Sequence, residues 1–183
     1  CRNDGNNKFT LIPLPAAVQF SAVNGMITDD FDGDGNLDVL INGNDYGTDV
    51  LVGPYDASNG LLLKGNGQGG FAALSISESG IFIPGNGKAL VKLRNPGGNY
   101  LVAAAQNRGQ LKVFELEEKN RMVPVKPDDA SAELLFNNGS AQKQEFSYGS
   151  SFLSQSARFL SAGSNLKSVI LTGNNGQKRK IDF

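Results

Sequence analysis

The chain has 183 residues, 23 of them glycine, a formal charge of −1 and no histidine, which leaves room for one compact domain or for one domain plus a small appendage. Without histidine, Ser-His-Asp and Cys-His nucleophilic devices and histidine-ligated metal sites are excluded, and a single cysteine, Cys1, excludes an internal disulfide and a multi-cysteine metal site. A near-neutral charge with no basic stripe of interleaved aromatics is not the footprint of a nucleic-acid binder, and no apolar run reaches the ~20 residues needed to span a bilayer.

Local pattern predicts an all-β chain. Asn-Gly recurs at Asn24-Gly25, Asn42-Gly43, Asn59-Gly60, Asn66-Gly67, Asn138-Gly139 and Asn175-Gly176, supplying the positive φ that tight hairpins require. Short β-branched and aromatic runs lie between these turns, and no helical period persists beyond a turn or two.

The first element in chain order is half of an internal repeat. Cys1–Phe9 aligns with Leu63–Phe71, both reading strand end, polar turn, aromatic. On this register Cys1 takes the place of Leu63, so the chain is expected to begin inside a repeat unit, with the true N-terminus upstream. The alternative is that Cys1 is the lipid-bearing first residue of a mature lipoprotein. A full unit then runs from about Phe9 to Phe71, with strands expected at Gly25–Thr28, Val39–Asn42, Gly60–Leu63 and Gly70–Leu74. Four short strands per unit is the grammar of a β-propeller blade. A second, degenerate unit follows, with strands at Lys88–Leu93, Tyr100–Ala105 and Gln110–Glu115. The stretch Glu117–Asp129 has linker composition. Beyond it Glu133–Phe136, Gln144–Tyr148, Ser168–Leu171 and Lys178–Phe183 read as strands of a small β domain, Lys178, Arg179 and Lys180 forming a solvated strand face. The expected organisation is therefore propeller-like blades over 1–116, a linker over 117–130 and a small β domain over 131–183. A propeller closes with about four to eight blades, and this chain holds one and a half to two, so the propeller is expected to be incomplete and to expose sheet edges.

The sharpest chemistry lies in Asp30-Phe31-Asp32-Gly33-Asp34-Gly35-Asn36-Leu37-Asp38. Carboxylates at the first, third, fifth and ninth positions converge on one centre, Asn36 at the seventh offers its backbone carbonyl, and Gly35 permits the sharp bend. That donor set suits Ca²⁺, a hard cation taking 6–8 oxygens. An EF-hand would need a glutamate at the twelfth position and flanking helices, whereas Ile41 stands there in an apolar run. A closed oxygen shell with no open position braces a hairpin and does no catalysis.

Two weaker constellations follow. Asp45, Tyr46, Asp49, Tyr55 and Asp56 lie on a long connection that either recognises a protein or sugar partner or packs on its own side chains as an Ω-loop. Glu115, Glu117 and Glu118 are carboxylates of the kind used in sugar chemistry, but their adjacency and setting read as solvent-facing charge. Ser150, Ser151, Ser154 and Gln155 read as a hydrogen-bonded turn, with no base in view to activate a serine.

Through Asp30, Asp32, Asp34 and Asp38 with Gly33 and Gly35, and through Asn66-Gly67-Gln68-Gly69-Gly70-Phe71, the segment Phe9–Leu116 resembles the FG-GAP/VCBS repeats, calcium-loop propeller blades of integrin-like and bacterial surface proteins. Tyr55–Leu61 is similar to the final repeats of large Bacteroidota surface proteins. About Glu133–Phe183 resembles the ASPIC/UnbV domain, chiefly through Glu145, Tyr148–Ser156 and Arg158, although that family's later Phe-Gly-Leu-Gly and Trp-Pro-Ser-Gly signatures are replaced by Ser161–Ser164 and Thr172–Gly176. The resemblance implies a calcium-dependent, non-enzymatic module at the outer-membrane surface or outside the cell. There, loops of Kd about 10⁻⁴–10⁻³ M suffice. The implied partners are further blades of a parent protein, another surface protein or a glycan. A second reading is a purely structural terminal segment, and a third is an accessory part of a polysaccharide-binding or polysaccharide-degrading protein.

Overall fold

A computed structural model describes residues 1–117, 120–150 and 154–183. The chain is all-β and antiparallel, in several small sheets, none of which closes into a barrel. Strands β1 (Arg2–Gly5) and β2 (Lys8–Thr10) form an exposed hairpin. A four-stranded meander follows: β3 (Val23–Asp29), β4 (Asp38–Gly43), β5 (Leu61–Gly65) and β6 (Phe71–Ala73). Two of the three residue pairs in the β1–β2 hairpin correspond to pairs of the β5–β6 hairpin. Asn3 faces Phe9 and Arg2 faces Thr10 in the first hairpin, as Gly65 faces Phe71 and Lys64 faces Ala72 in the second.

After a one-turn helix α1 (Ile76–Ser79), closed by a Ser75–Glu78 capping box, comes a three-stranded meander of β7 (Gly87–Arg94), β8 (Tyr100–Gln106) and β9 (Lys112–Glu115). The two meanders pack closely where Gly25 of β3 meets β7. A Cβ at Gly25 would stand 2.7 Å from the Leu90 amide nitrogen, so only glycine allows this approach.

The stretch that composition marks as a linker contains β10 (Arg121–Pro124), with Val123 and Val125 buried. Three apolar residues, Met122, Val123 and Val125, inside a charged, proline-bearing run are too weak a pattern to announce a strand, and its partner is distant in sequence: β13 (Phe159–Ala162), with Val123 opposite Leu160. Glu118 and Lys119 of that stretch lie outside the described residues. The final sheet has the order β12-β11-β14-β15, from β11 (Asp129–Phe136), β12 (Ala141–Glu145), β14 (Leu166–Gly173) and β15 (Lys178–Asp182). On β15, Lys178 and Lys180 are exposed, whereas Arg179 pairs at 2.6 Å with the buried Asp129 carboxylate.

There are two cores. One holds Val123, Leu134, Phe136, Leu160, Val169 and Leu171; the other holds Ile27, Leu40, Leu90, Tyr100, Val102 and Phe159. Successive residues of a strand point to opposite faces, so β13 serves both, sending Phe159 into one core and Leu160 into the other.

Candidate metal centre

The loop between β3 and β4 is shaped by its own backbone. Gly33 and Gly35 have φ of 75° and 88°, a region that side-chain-bearing residues avoid. Those turns aim amides inward: Asp30 accepts from Gly33 at 2.8 Å and from Gly35 at 2.9 Å, Asp32 from Asp34 at 3.2 Å, and Asp34 from Asn36 at 2.8 Å. Asp38, buried at the start of β4, accepts from Phe31 at 3.0 Å and from Gly65 at 2.8 Å, tying the loop to the end of β5. The loop is also seated on the last sheet, since a Cβ at Gly35 would stand 2.8 Å from Asn165 Nδ2 and 3.3 Å from the Phe136 ring.

Asp30, Asp32 and Asp38 each place a carboxylate oxygen within 4.8 Å of the others, close enough for one cation to touch all three. Carboxylate oxygens that already accept an amide retain further lone pairs for a metal. Burial raises the Asp30 pKa to about 6, with the charges of Asp34 and Asp32 pushing the same way and the Gly35 and Gly33 amides opposing. Burial also raises Asp38. Burial and neighbouring acidic charge both disfavour the ionised forms of Asp30 and Asp38, and a bound cation relieves them.

Asp34 stands apart from the trio. Lys64 on β5 extends its ammonium to Asp32 and lies 3.3 Å from Asp34. At Asp34, burial works against the charge, but the Asn36 amide and Lys64 outweigh it and hold the pKa down. The pair of carboxylates drives the Lys64 pKa up to about 12. Sequence spacing places Asp34 and Asn36 among the ligands with Asp30, Asp32 and Asp38, and the structure brings together the latter three. It adds Lys64, which sequence reasoning missed because its strand partner lies more than twenty residues away.

Directly behind the loop, buried Asp29 accepts from Lys92 Nζ at 2.8 Å and from the Tyr100 phenol at 3.0 Å. Burial, then the charge of Asp29, pushes the Tyr100 pKa far up. Lys92 also lies 5.0 Å from the centroid of the Phe159 ring. Alternation along β3 that turns Ile27 inward turns Asp29 inward too, but it points to neither of its partners.

On the long connection after β4, Asp45 and Tyr55 exchange backbone hydrogen bonds at 3.0 and 2.8 Å. Asp45 accepts from the Gly47 amide, Asp49 from the Leu51 amide, and Asp56 from Asn44 Nδ2. Tyr46 hydrogen-bonds Asp56, which raises its pKa. All three carboxylates hydrogen-bond within the loop, and Tyr46, Val50, Leu51, Val52 and Tyr55 are exposed on it. Glu115 accepts from Asn99, and Glu118 lies outside the described residues. At the expected serine turn, the Ser150 amide donates to the Ser154 carbonyl at 3.2 Å; Ser151 lies outside the described residues. Neither a protein-family model nor a curated protein matches the chain.

Proposed function

We propose that this chain is a calcium-binding, non-enzymatic module of the FG-GAP/VCBS type, two propeller-like blades followed by an ASPIC/UnbV-like β domain, acting in binding or assembly at an extracellular or outer-membrane surface. The observation that carries the reading is the convergence of Asp30, Asp32 and Asp38 oxygens within 4.8 Å on a loop with two left-handed glycines. Oxygen donors alone suit a hard cation of flexible coordination. Asp34 and the Asn36 carbonyl complete the ligand set when Lys64 withdraws. The cation's role is structural, bracing β3, β4 and the end of β5 against the last sheet. Its partners are further blades of a parent protein, another surface protein or a glycan.

Support for the blade reading comes from the meander β3–β6 and from the matched registers of the β1–β2 and β5–β6 hairpins. The bare β1–β2 hairpin also favours the second reading, a structural segment of a larger surface protein, because a blade's outer pair of strands needs inner strands to pack on.

The test is thermal unfolding in excess EGTA and then across a calcium titration to the millimolar range, with magnesium as control. A calcium-specific rise in Tm that Asp32→Ala abolishes supports the reading; equal Tm values with and without calcium overturn it.

A further inference from the structure

The first meander has four strands and the second three, which leaves β9 as an edge. The Leu116 amide donates to the Tyr100 carbonyl at 3.0 Å. In an antiparallel pair the direction of the backbone groups alternates from residue to residue. Leu116, Phe114 and Lys112 thus turn theirs toward β8, while Val113 and Glu115 turn theirs outward. Among the described residues no hydrogen bond reaches these outward groups.

Beside this edge lies a cleft of about 620 Å³ between the two meanders. Leu62 and Leu74 wall it on one side and Phe114 and Leu116 on the other, above the buried Leu40 and Val102. Its lining is acidic: Asp32 and Asp38 of the loop, Glu78, whose carboxylate also caps α1 at Ser75, Glu115, which also accepts from Asn99, and Glu117, with Lys64 the one cation among the described lining residues. Unpaired strand backbone, an apolar cleft and an acidic lining therefore coincide where a fourth strand would lie in the second meander, as β6 lies in the first.

We propose that this edge and cleft accept an extended segment of a partner protein in which apolar residues alternate with lysine or arginine. Its backbone pairs with Val113 and Glu115. Its apolar side chains enter the cleft and its cations meet the glutamates. This is strand addition, in which main-chain hydrogen bonds supply affinity and alternate side chains supply specificity. It gives the assembly role proposed above a place and a partner chemistry, and rests on that reading only in assuming a protein partner.

The test uses the full chain and a capped peptide of about six residues, the usual strand length, alternating leucine with lysine and carrying one tryptophan. The chain has no tryptophan, so fluorescence reports the peptide alone. Titrations are run in EGTA and in calcium. Saturable binding of this peptide, with none of its leucine–glutamate counterpart, is expected. Val113→Pro removes an outward amide at an edge that tolerates proline and weakens binding by about tenfold; Glu117→Lys weakens it several-fold and flattens its salt dependence. Should Val113→Pro fail to fold, a peptide N-methylated on its pairing side tests the same hydrogen bonds on the wild-type chain and is expected to lose binding. No binding of the leucine–lysine peptide, equal binding of the leucine–glutamate peptide, or full affinity after Val113→Pro or N-methylation overturns the inference. If calcium raises Tm while the peptide fails to bind, this inference falls and the calcium reading stands.

Discussion

Tyr100, the first residue of β8, donates its phenol to the carboxylate of Asp29, the last residue of β3, across 3.0 Å. The bond joins the two meanders at a point one residue from the loop's first carboxylate. The ring stands edge-on between Phe31 at 5.9 Å and Phe159 at 5.3 Å, so the polar contact is sealed by aromatic packing. Tyr100→Phe keeps the ring and leaves the Asp29 carboxylate with Lys92 and the Asp30 amide. A hydrogen bond to a charged acceptor in such a place contributes about 2 kcal/mol, and urea denaturation of the variant should show that loss. Asp29→Ala should cost roughly 3–5 kcal/mol, because it strands the Lys92 ammonium in a buried setting. A loss below about 1 kcal/mol in either variant would mean that the group is solvated in the folded chain.

What the sequence made legible follows from how local each signal is. The two meanders, the hairpin register and the aspartate loop are written in contiguous residues, so turn chemistry and alternation reveal them. Asp29, Lys92 and Tyr100 carry no such signal, since nothing in the local pattern says that three distant residues share a pocket. The pairing of β10 with β13 is equally hidden: its ladder spans nearly forty residues, and neither strand alternates long enough to stand out. Both readings of the long loop stand: Asp45 and Asp56 hydrogen-bond within it, and Tyr46 and Tyr55 are exposed on it.

The raised pKa of Asp30, about 6, fixes a sign. Unfolded aspartate titrates near 3.9, so the metal-free folded chain holds this proton more tightly than the unfolded chain does. Stability from Asp30 is therefore present below about pH 4 and is lost as pH rises through about 6. In EGTA, the Asp30→Asn variant should flatten any fall in Tm between pH 4 and 6. With saturating calcium the dependence should reverse, because the cation binds the deprotonated form. Differential scanning calorimetry across this window, with and without calcium, checks both signs.

Lys64 bridges Asp32 and Asp34, and an ammonium there competes with a divalent cation for the same oxygens. Lys64→Met removes the competitor and a nearby positive charge. Calcium affinity should rise about fivefold, the scale of one screened unit charge at contact range. Isothermal titration of the two chains measures it. An unchanged affinity would mean that the ammonium leaves freely and that Asp34 is available without it.

Asn44 is fully buried at the root of the long loop after β4. Its amide donates to the Ser58 carbonyl at 2.7 Å, the Gly85 carbonyl at 2.8 Å and Asp56 at 3.1 Å, and its oxygen accepts from the Ser58 amide at 2.9 Å. Its φ of 86° is a conformation asparagine tolerates better than most residues. Asn44→Ala loses four bonds and adds backbone strain, so a destabilisation of roughly 3 kcal/mol is expected. Hydrogen exchange should then speed up at the Ser58 amide and across the loop to Asp45. Faster exchange confined to Ser58 would show that the loop is held by its own neck and not by Asn44.

Phe159 tests whether the two cores fold as one unit. It lies on β13 beside Leu160, and the ladder to β10 alternates between cores: Pro124 faces Phe159, and Val123 faces Leu160. The main chain reinforces this junction, for the Ala157 amide donates to the Lys92 carbonyl at 2.8 Å and the Lys92 amide to Ser156 Oγ at 3.0 Å. Phe159→Ala removes a buried ring that touches Tyr100 and Lys92, at a cost of roughly 3–5 kcal/mol. Leu160→Ala should cost roughly 2–5 kcal/mol on the other side of the same strand. If the strand couples the cores, each variant shifts one shared unfolding transition, and probes on either side of the strand report the same midpoint. Two separated transitions in Phe159→Ala, with the Leu160 side keeping its wild-type midpoint, would show that the cores fold independently and meet only after folding.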